Sequence, residues 1–260
     1  MKKKPFILYI LLVIIIITPI ISGCFDFVKT NSVVKKANEL YQKGDYKAAI
    51  KEYTKIIDND YKNDKVFFNL GNAYYKEGQK AKAIAGYKTS LKFNPRNSEA
   101  KSNLSYVKKE LGLETNAKDT LKPFFHIAFF WFYKFNLAEL FFITILFNVA
   151  FVGSLILYKE NRKFILKVIA LSAFIAFTLL LVSLGIKLYD NYTVTEAIVL
   201  KDKTPVMSGN GHNFIQLSAV NKGESVYIKD IKEKWLKIIT PKNDKGWIHK
   251  SHLILLKERM

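Results

Sequence analysis

LAELFFITILFNVAFVGSLILYKENRKFILKVIALSAFIAFTLLLVSLGIKL, residues 137–188, sets the architecture of the whole chain. A bilayer's hydrocarbon core takes about 20 mainly apolar residues per spanning helix. Leu137–Tyr158 and Phe164–Leu188 each reach that length, on either side of the charged turn Lys159-Glu160-Asn161-Arg162-Lys163. The stretch reads as a transmembrane hairpin. A hairpin leaves the membrane on the side where it entered, so the segments before and after it share a compartment. Short loops rich in lysine and arginine stay cytoplasmic. The turn carries Lys159, Arg162 and Lys163 with Lys167 close by, which places both flanking segments outside the cytoplasm.

The amino terminus gives the same orientation. Lys2, Lys3 and Lys4 precede the apolar run Phe6–Ile21, the charged and apolar regions of a secretory signal. The run leads into Ile21-Ser22-Gly23-Cys24, which resembles the bacterial lipobox and makes Cys24 a lipidation candidate. An uncleaved signal anchor is the other reading, and it sends the following residues to the same side. Cys24 is the single cysteine, so an internal disulfide is excluded.

Of the 260 residues a large share is membrane, which leaves only small soluble parts and no room for a large enzyme core. The formal charge of +19 comes mostly from lysines spread over both soluble parts. With acidic residues interspersed, these read as solvated faces rather than a nucleic-acid surface.

Residues 30–97 repeat themselves at a period of 34: Gly44 recurs as Gly78, Ala49 as Ala83, Tyr53 as Tyr87 and Ile57 as Leu91. This pattern resembles the tetratricopeptide repeat, a pair of antiparallel helices. In the second copy, 64–97, Leu70-Gly71 and Tyr74 fall on the first helix, Gly78 at the turn, Ala83 and Tyr87 on the second, and Pro95 at its end. Gly71 and Ala83 allow the helices to approach, the aromatics fill the gap, and Pro95 stops the second helix. The first copy, 30–63, has Leu40 and Tyr61 where the pattern has tyrosine and proline. A further first helix, 98–112, reads as a cap ended by Gly112. Two and a half repeats are near or below the roughly three that a stable stack needs, so the module is expected to lean on a neighbour or to work as a small adaptor.

Repeats of this kind bind peptides in the groove lined by their first helices. The resemblance therefore makes Asn38, Asn69, Asn72, Tyr75 and Lys76 groove candidates. Some relatives clamp a carboxylate with lysines and asparagines, but Val34 and Glu99 stand where those lysines would be, which disfavours a clamp.

Between the repeats and the hairpin, residues 113–136 give a polar linker, 113–121, and then the aromatic run Pro123–Tyr133. Aromatic rings collect at membrane interfaces, so this run reads as an interfacial helix with His126 as a polar tip. Glu139 and Asn148 in the first span, and Ser172, Thr178 and Ser183 in the second, are expected to serve helix–helix contacts.

Residues 192–257 change to short β-rich runs separated by turn chemistry, which predicts a small barrel. Pro205-Val206-Met207-Ser208-Gly209, Lys222-Gly223-Glu224-Ser225-Val226, Lys234-Trp235-Leu236-Lys237-Ile238 and Gly246-Trp247-Ile248 together resemble a bacterial SH3-type domain. Trp235 and Trp247 are its surface candidates. His249 and His252, three apart, lack a third ligand for a metal site. No phosphate loop, nucleophile elbow, cysteine pair or convergent carboxylates occur, so neither catalysis nor a cofactor is expected.

The fold class expected is thus a multidomain membrane protein: an all-α repeat module (30–112), a two-helix transmembrane hairpin (137–188) and a small all-β SH3-like barrel (192–257), behind a signal (1–24). This order of parts resembles the BatE-type proteins of the Bacteroides aerotolerance operon family. The resemblance implies a non-enzymatic scaffold at the extracytoplasmic face of the bacterial inner membrane, acting in envelope-stress tolerance. Its implied partners are membrane proteins with von Willebrand factor A-type domains. A peptidoglycan-binding protein that localises or regulates a cell-wall enzyme is the alternative from another class.

Overall fold

The computed structural model describes residues 34–59, 62–113, 127, 129–193 and 195–256. The signal with Cys24, Tyr61, and residues 114–126 with the linker, Pro123 and His126 lie outside the described residues.

Five helices make up the first part: α1 (34–42), α2 (Tyr46–Asp58), α3 (Asp64–Lys76), α4 (Lys80–Phe93) and α5 (Ser98–Glu110). Their ends carry the period of 34 as clearly as their cores do. Asn63 and Asn97, one repeat apart, cap α3 and α5 by accepting from the Val66 and Ala100 N–H groups at 2.9 Å. Gly44, Gly78 and Gly112, again one repeat apart, end the first helix of each pair at φ of +80°, +74° and +67°. No atom would crowd a Cβ at any of the three, so glycine is there for the left-handed backbone alone. Gly71 is there for space, because a Cβ on it would come within 2.8 Å of the Tyr87 ring. Gly86 faces it from α4, where a Cβ would lie 2.7 Å from the Gly71 Cα. The closest approach of α3 and α4 is thus glycine on glycine, with buried Ala83, Ile84 and Tyr87 packed around it.

The short helix Phe130–Lys134 precedes two long ones, Leu137–Asn161 and Phe164–Thr193. Both are long and apolar enough to cross a membrane by length and composition, each holding an 18-residue stretch with a mean hydropathy of 2.5 or 2.6. Arg162, at φ +50°, turns the chain between them, and they pack side by side through Leu140, Leu180 and Leu184, with the Phe151 and Phe174 rings 5.1 Å apart. The hydroxyls expected at helix–helix contacts make their hydrogen bonds within their own helix. Ser172, Thr178 and Ser183 donate to backbone carbonyls three or four residues back on their own helix, Ile169, Phe174 and Leu179. A hydroxyl satisfied by its own backbone needs no partner across the interface. Ser183 also accepts from the Trp131 indole at 3.2 Å. Glu139 closes a capping box with Asn136 at the start of the first long helix. The aromatic run expected as an interfacial helix is helical over Phe130–Lys134, and residues 123–126 and 128 of it lie outside the described residues.

The last part is a seven-stranded antiparallel sheet: β1 (Thr195–Val199), β2 (Thr204–Met207), β3 (Gln216–Val220), β4 (Ser225–Lys232), β5 (Trp235–Ile239), β6 (Lys245–His249) and β7 (Leu253–Leu255), in the order β3-β2-β6-β5-β4-β1-β7. It encloses Val199, Val206, Val226, Leu236, Ile238 and Ile248. The expected barrel is not closed. Closure would bring β7 against β3, but β7 is only three residues long, and Ile254 and Leu256 pack instead into the cluster of α4.

The sheet and the helices share a core. Ile84 and Val107 cluster with Ile198, Leu200, Ile254 and Leu256, and Gly223 lets Ile84, Leu111 and Leu113 close over the β3–β4 turn. The neighbour on which the short repeat stack leans is this sheet. The other end of α4 rests on the hairpin, where the Asn136 side-chain amide donates to the Phe93 carbonyl at 3.2 Å and Arg96 pairs with Glu139.

Candidate functional site

The first helices α1, α3 and α5 line one concave face, and the asparagines and tyrosines on it form two matching rungs. Asn38 Oδ1 accepts from the Tyr53 hydroxyl at 2.6 Å and from Asn69 Nδ2 at 3.2 Å. One repeat later, Asn72 Oδ1 accepts from the Tyr87 hydroxyl at 2.8 Å and from Asn103 Nδ2 at 3.0 Å. Each rung joins the first helix of one repeat to the second helix of that repeat and to the first helix of the next. The central carboxamide oxygen has both lone pairs engaged, which fixes its orientation and turns its NH2 group away from the tyrosine.

Beside the second rung lies a cavity of about 420 Å³ lined by Tyr41, Asn72, Tyr75, Lys76, Tyr87, Asn103, Tyr106 and Val107. Three of the five groove candidates, Asn72, Tyr75 and Lys76, line it. Asn38 and Asn69 form the first rung, outside the cavity lining. Tyr41, Asn103 and Tyr106 were missed, although the period could have found them: Tyr41 is one repeat before Tyr75, Asn103 one after Asn69, and Tyr106 one after Asn72.

The lining is phenolic and amide-rich. Tyr75 and Tyr106 meet edge to face with centroids 6.0 Å apart. The Tyr106 hydroxyl, partial desolvation and the Glu110 carboxylate push the Tyr75 phenol up to about 12. Burial raises Tyr87 further, and it pushes Tyr53 up to about 12. These phenols are neutral at physiological pH, so they offer hydrogen bonds rather than charge. Lys76 is an exposed cation on the rim, while Lys80 is held by Glu110 at 3.5 Å. The surface suits an extended chain: rings for side chains, and amide groups for a main chain.

On the sheet, the two tryptophans differ. Trp247 is only 8% exposed and has Lys232 and Lys237 over its ring, at 5.6 and 5.9 Å. Trp235 is half-buried at the start of β5, edge-on to His212 and His249 at 4.9 and 5.4 Å. The His249 and His252 rings are 6.1 Å apart, and burial, then Lys201 and the other two imidazoles, lowers the pKa of His252. Among the described residues no group of three or more His, Cys, Asp or Glu is arranged to hold a metal ion.

A family model described as TPR repeat matches residues 37–78, and one described as Tetratricopeptide repeat matches residues 65–97. Residues 37–97 are tetratricopeptide repeats. No curated protein matches the chain. The tetratricopeptide module accounts for the helix pairs, the glycine turns and the concave face, and it gives the chain a general role in protein–protein interaction.

Proposed function

We propose that the chain is a membrane-anchored, non-enzymatic adaptor whose tetratricopeptide groove holds an extended segment of a partner protein. The observation that carries this is the pair of Asn–Tyr–Asn rungs beside the phenol-lined cavity, since a rung that presents spare amide donors along a groove matches the hydrogen-bonding needs of an extended main chain. The large apolar side chains left exposed along both long helices, among them Leu146, Val152, Ile175 and Val182, support insertion of the hairpin in a bilayer. The contacts of Arg96 with Glu139 and of Lys88 with Glu196 support a common side for the repeats and the sheet. The lysine- and arginine-rich turn and the signal-like amino terminus support an extracytoplasmic side.

On this reading the sheet is an SH3-type domain in an open form, and the chain is a BatE-type component of an envelope-stress complex. The partners proposed for the groove are membrane proteins with von Willebrand factor A-type domains. The test is affinity capture of the full chain from membranes, comparing it with the double variant Tyr75→Ala, Tyr106→Ala. Capture of a membrane protein that the variant loses, with the helical signal unchanged, is the expected result. Equal capture by both would sink the groove assignment.

A further inference from the structure

α4 records height above the hairpin. Its last residue, Phe93, touches Asn136 at the outer end of the first long helix. Five residues earlier, about 7 Å along the helix, Lys88 pairs with Glu196 near the start of β1. Nine residues earlier, about 13 Å along, Ile84 lies under Gly223, whose N–H donates to the Val199 carbonyl at the end of β1. β1 therefore climbs away from the hairpin beside α4, and its antiparallel neighbour β4 descends toward it.

β4 descends further than β1 begins. Thr195 pairs with Ile228, but β4 runs on to Lys232, which pairs with Trp235 across the two-residue turn Glu233-Lys234. Four residues of strand span roughly 13 Å, less a little for the bulge between Ile228 and Asp230. Thr195 stands seven residues beyond Leu188, where the apolar stretch ends, and the helix over the first five of them, to Thr193, rises about 7 Å before the strand begins. The descent of β4 is at least as long. The β4–β5 tip returns to the level at which the hairpin becomes apolar.

The residues gathered there suit that level. Ile231 stands opposite the fully buried Leu236, on the core side of the sheet, yet it is 60% exposed because the core ends before it. The β2–β3 loop is held at the same end by the His212–Trp235 contact, and it exposes Ile215 at 76% and Phe214 at 49%. Around them Lys229, Lys232, Lys234 and Lys250 outnumber Asp230 and Glu233. Apolar and aromatic side chains among lysines are the composition that settles at a headgroup layer with anionic lipids.

The geometry points to a lipid contact: the end of the sheet formed by the β4–β5 tip and the β2–β3 loop rests on the surface of the same bilayer that the hairpin spans, against anionic phospholipid headgroups. The hairpin, the repeats and the sheet then hold the groove at a set height and tilt. This rests on the spanning reading of the hairpin, and the test separates the two. In the full chain carrying Cys24→Ser, single nitroxide labels are placed through Ile231→Cys, Ile215→Cys, Asn243→Cys in the turn at the opposite end of β5, and Val152→Cys midway along the first long helix. The protein is reconstituted in nanodiscs of phosphatidylcholine with phosphatidylglycerol. Collision with a water-soluble nickel chelate is expected to be several-fold lower at 231 and 215 than at 243, and adding Lys232→Glu with Lys234→Glu is expected to raise it at 231. Equal collision rates at 231 and 243, while the label at 152 reports the bilayer interior, would overturn the lipid contact and leave the hairpin reading intact. A label at 152 as open to nickel as that at 243 would overturn both.

Discussion

Lys88 on α4 and Glu196 on β1 form an ion pair across 108 positions of sequence, and the Lys88 ammonium also donates to Ser225 Oγ at 2.9 Å. Both side chains are mostly buried, 21% and 14% exposed, so removal of one leaves the other poorly solvated. The pair locks the register between the tetratricopeptide module and the sheet, and with it the height of the groove above the hairpin.

Lys88→Met should therefore cost on the order of 2 kcal/mol in thermal or denaturant unfolding, because a hydrogen-bonded charge is left behind. The double variant Lys88→Met, Glu196→Gln should recover part of that loss. A double variant no more stable than the sum of the single losses predicts would show that the two side chains act independently.

Gly86→Ala and Gly44→Ala separate two uses of glycine. At Gly86 the added methyl would meet the Gly71 backbone at 2.7 Å, so α3 and α4 must part, a loss of roughly 1–3 kcal/mol or more despite alanine's better helix propensity. At Gly44 the methyl meets nothing, and the cost is the left-handed backbone alone, about 1–2 kcal/mol. Shifts in the melting midpoint of the full chain should show the larger loss at 86.

Asn72→Ala orphans two donors, the buried Tyr87 hydroxyl and the Asn103 amide, whereas Tyr87→Phe removes one donor and leaves Asn72 bonded to Asn103. Asn72→Ala should be the more destabilising, by about 1 kcal/mol or more. Hydrogen exchange in α3 and α5 would report it, since the rung ties these helices together. Protection unchanged in α5 would contradict that link.

Alkaline pH should loosen the repeats before the sheet. Tyr53 titrates at about 12 in the folded chain against 10.0 when unperturbed, chiefly because burial disfavours the phenolate. The folded state then holds a proton that the unfolded state has lost, so stability is complete below pH 10 and falls as pH rises toward 12. Tyr53→Phe should flatten that fall. A melting midpoint that declines equally in both proteins between those values would refute the assignment.

Much of the groove could be read from a period of 34, because a repeat places equivalent residues on equivalent faces. Asn72, Tyr75 and Lys76 came from the resemblance to peptide-binding repeats, and Tyr41, Asn103 and Tyr106 lie one period from Tyr75, Asn69 and Asn72. What spacing could not give was the hydrogen bonding. Asn38 and Asn72 look like free groove amides until Tyr53 and Tyr87 are seen to point at them from the second helices. In the sheet, β7 and the open edge were illegible for a related reason. Leu253, Ile254 and Leu255 carry no alternation, and what covers Ile254 is a helix more than 150 residues earlier in the chain.

Local chemistry thus determined the elements: two long apolar helices, repeats punctuated by Gly44, Gly78 and Gly112, and a run of short strands. These depend on side-chain polarity at fixed spacings and on backbone conformations open to few residue types, both of which are written locally. The joining of the parts was decided only in three dimensions. Ile84 against Ile198, Lys88 against Glu196, and Arg96 against Glu139 are contacts between distant segments, and each depends on how several elements pack at once. Burial and charge pairing at such contacts reward proximity in space, for which sequence separation carries no signal.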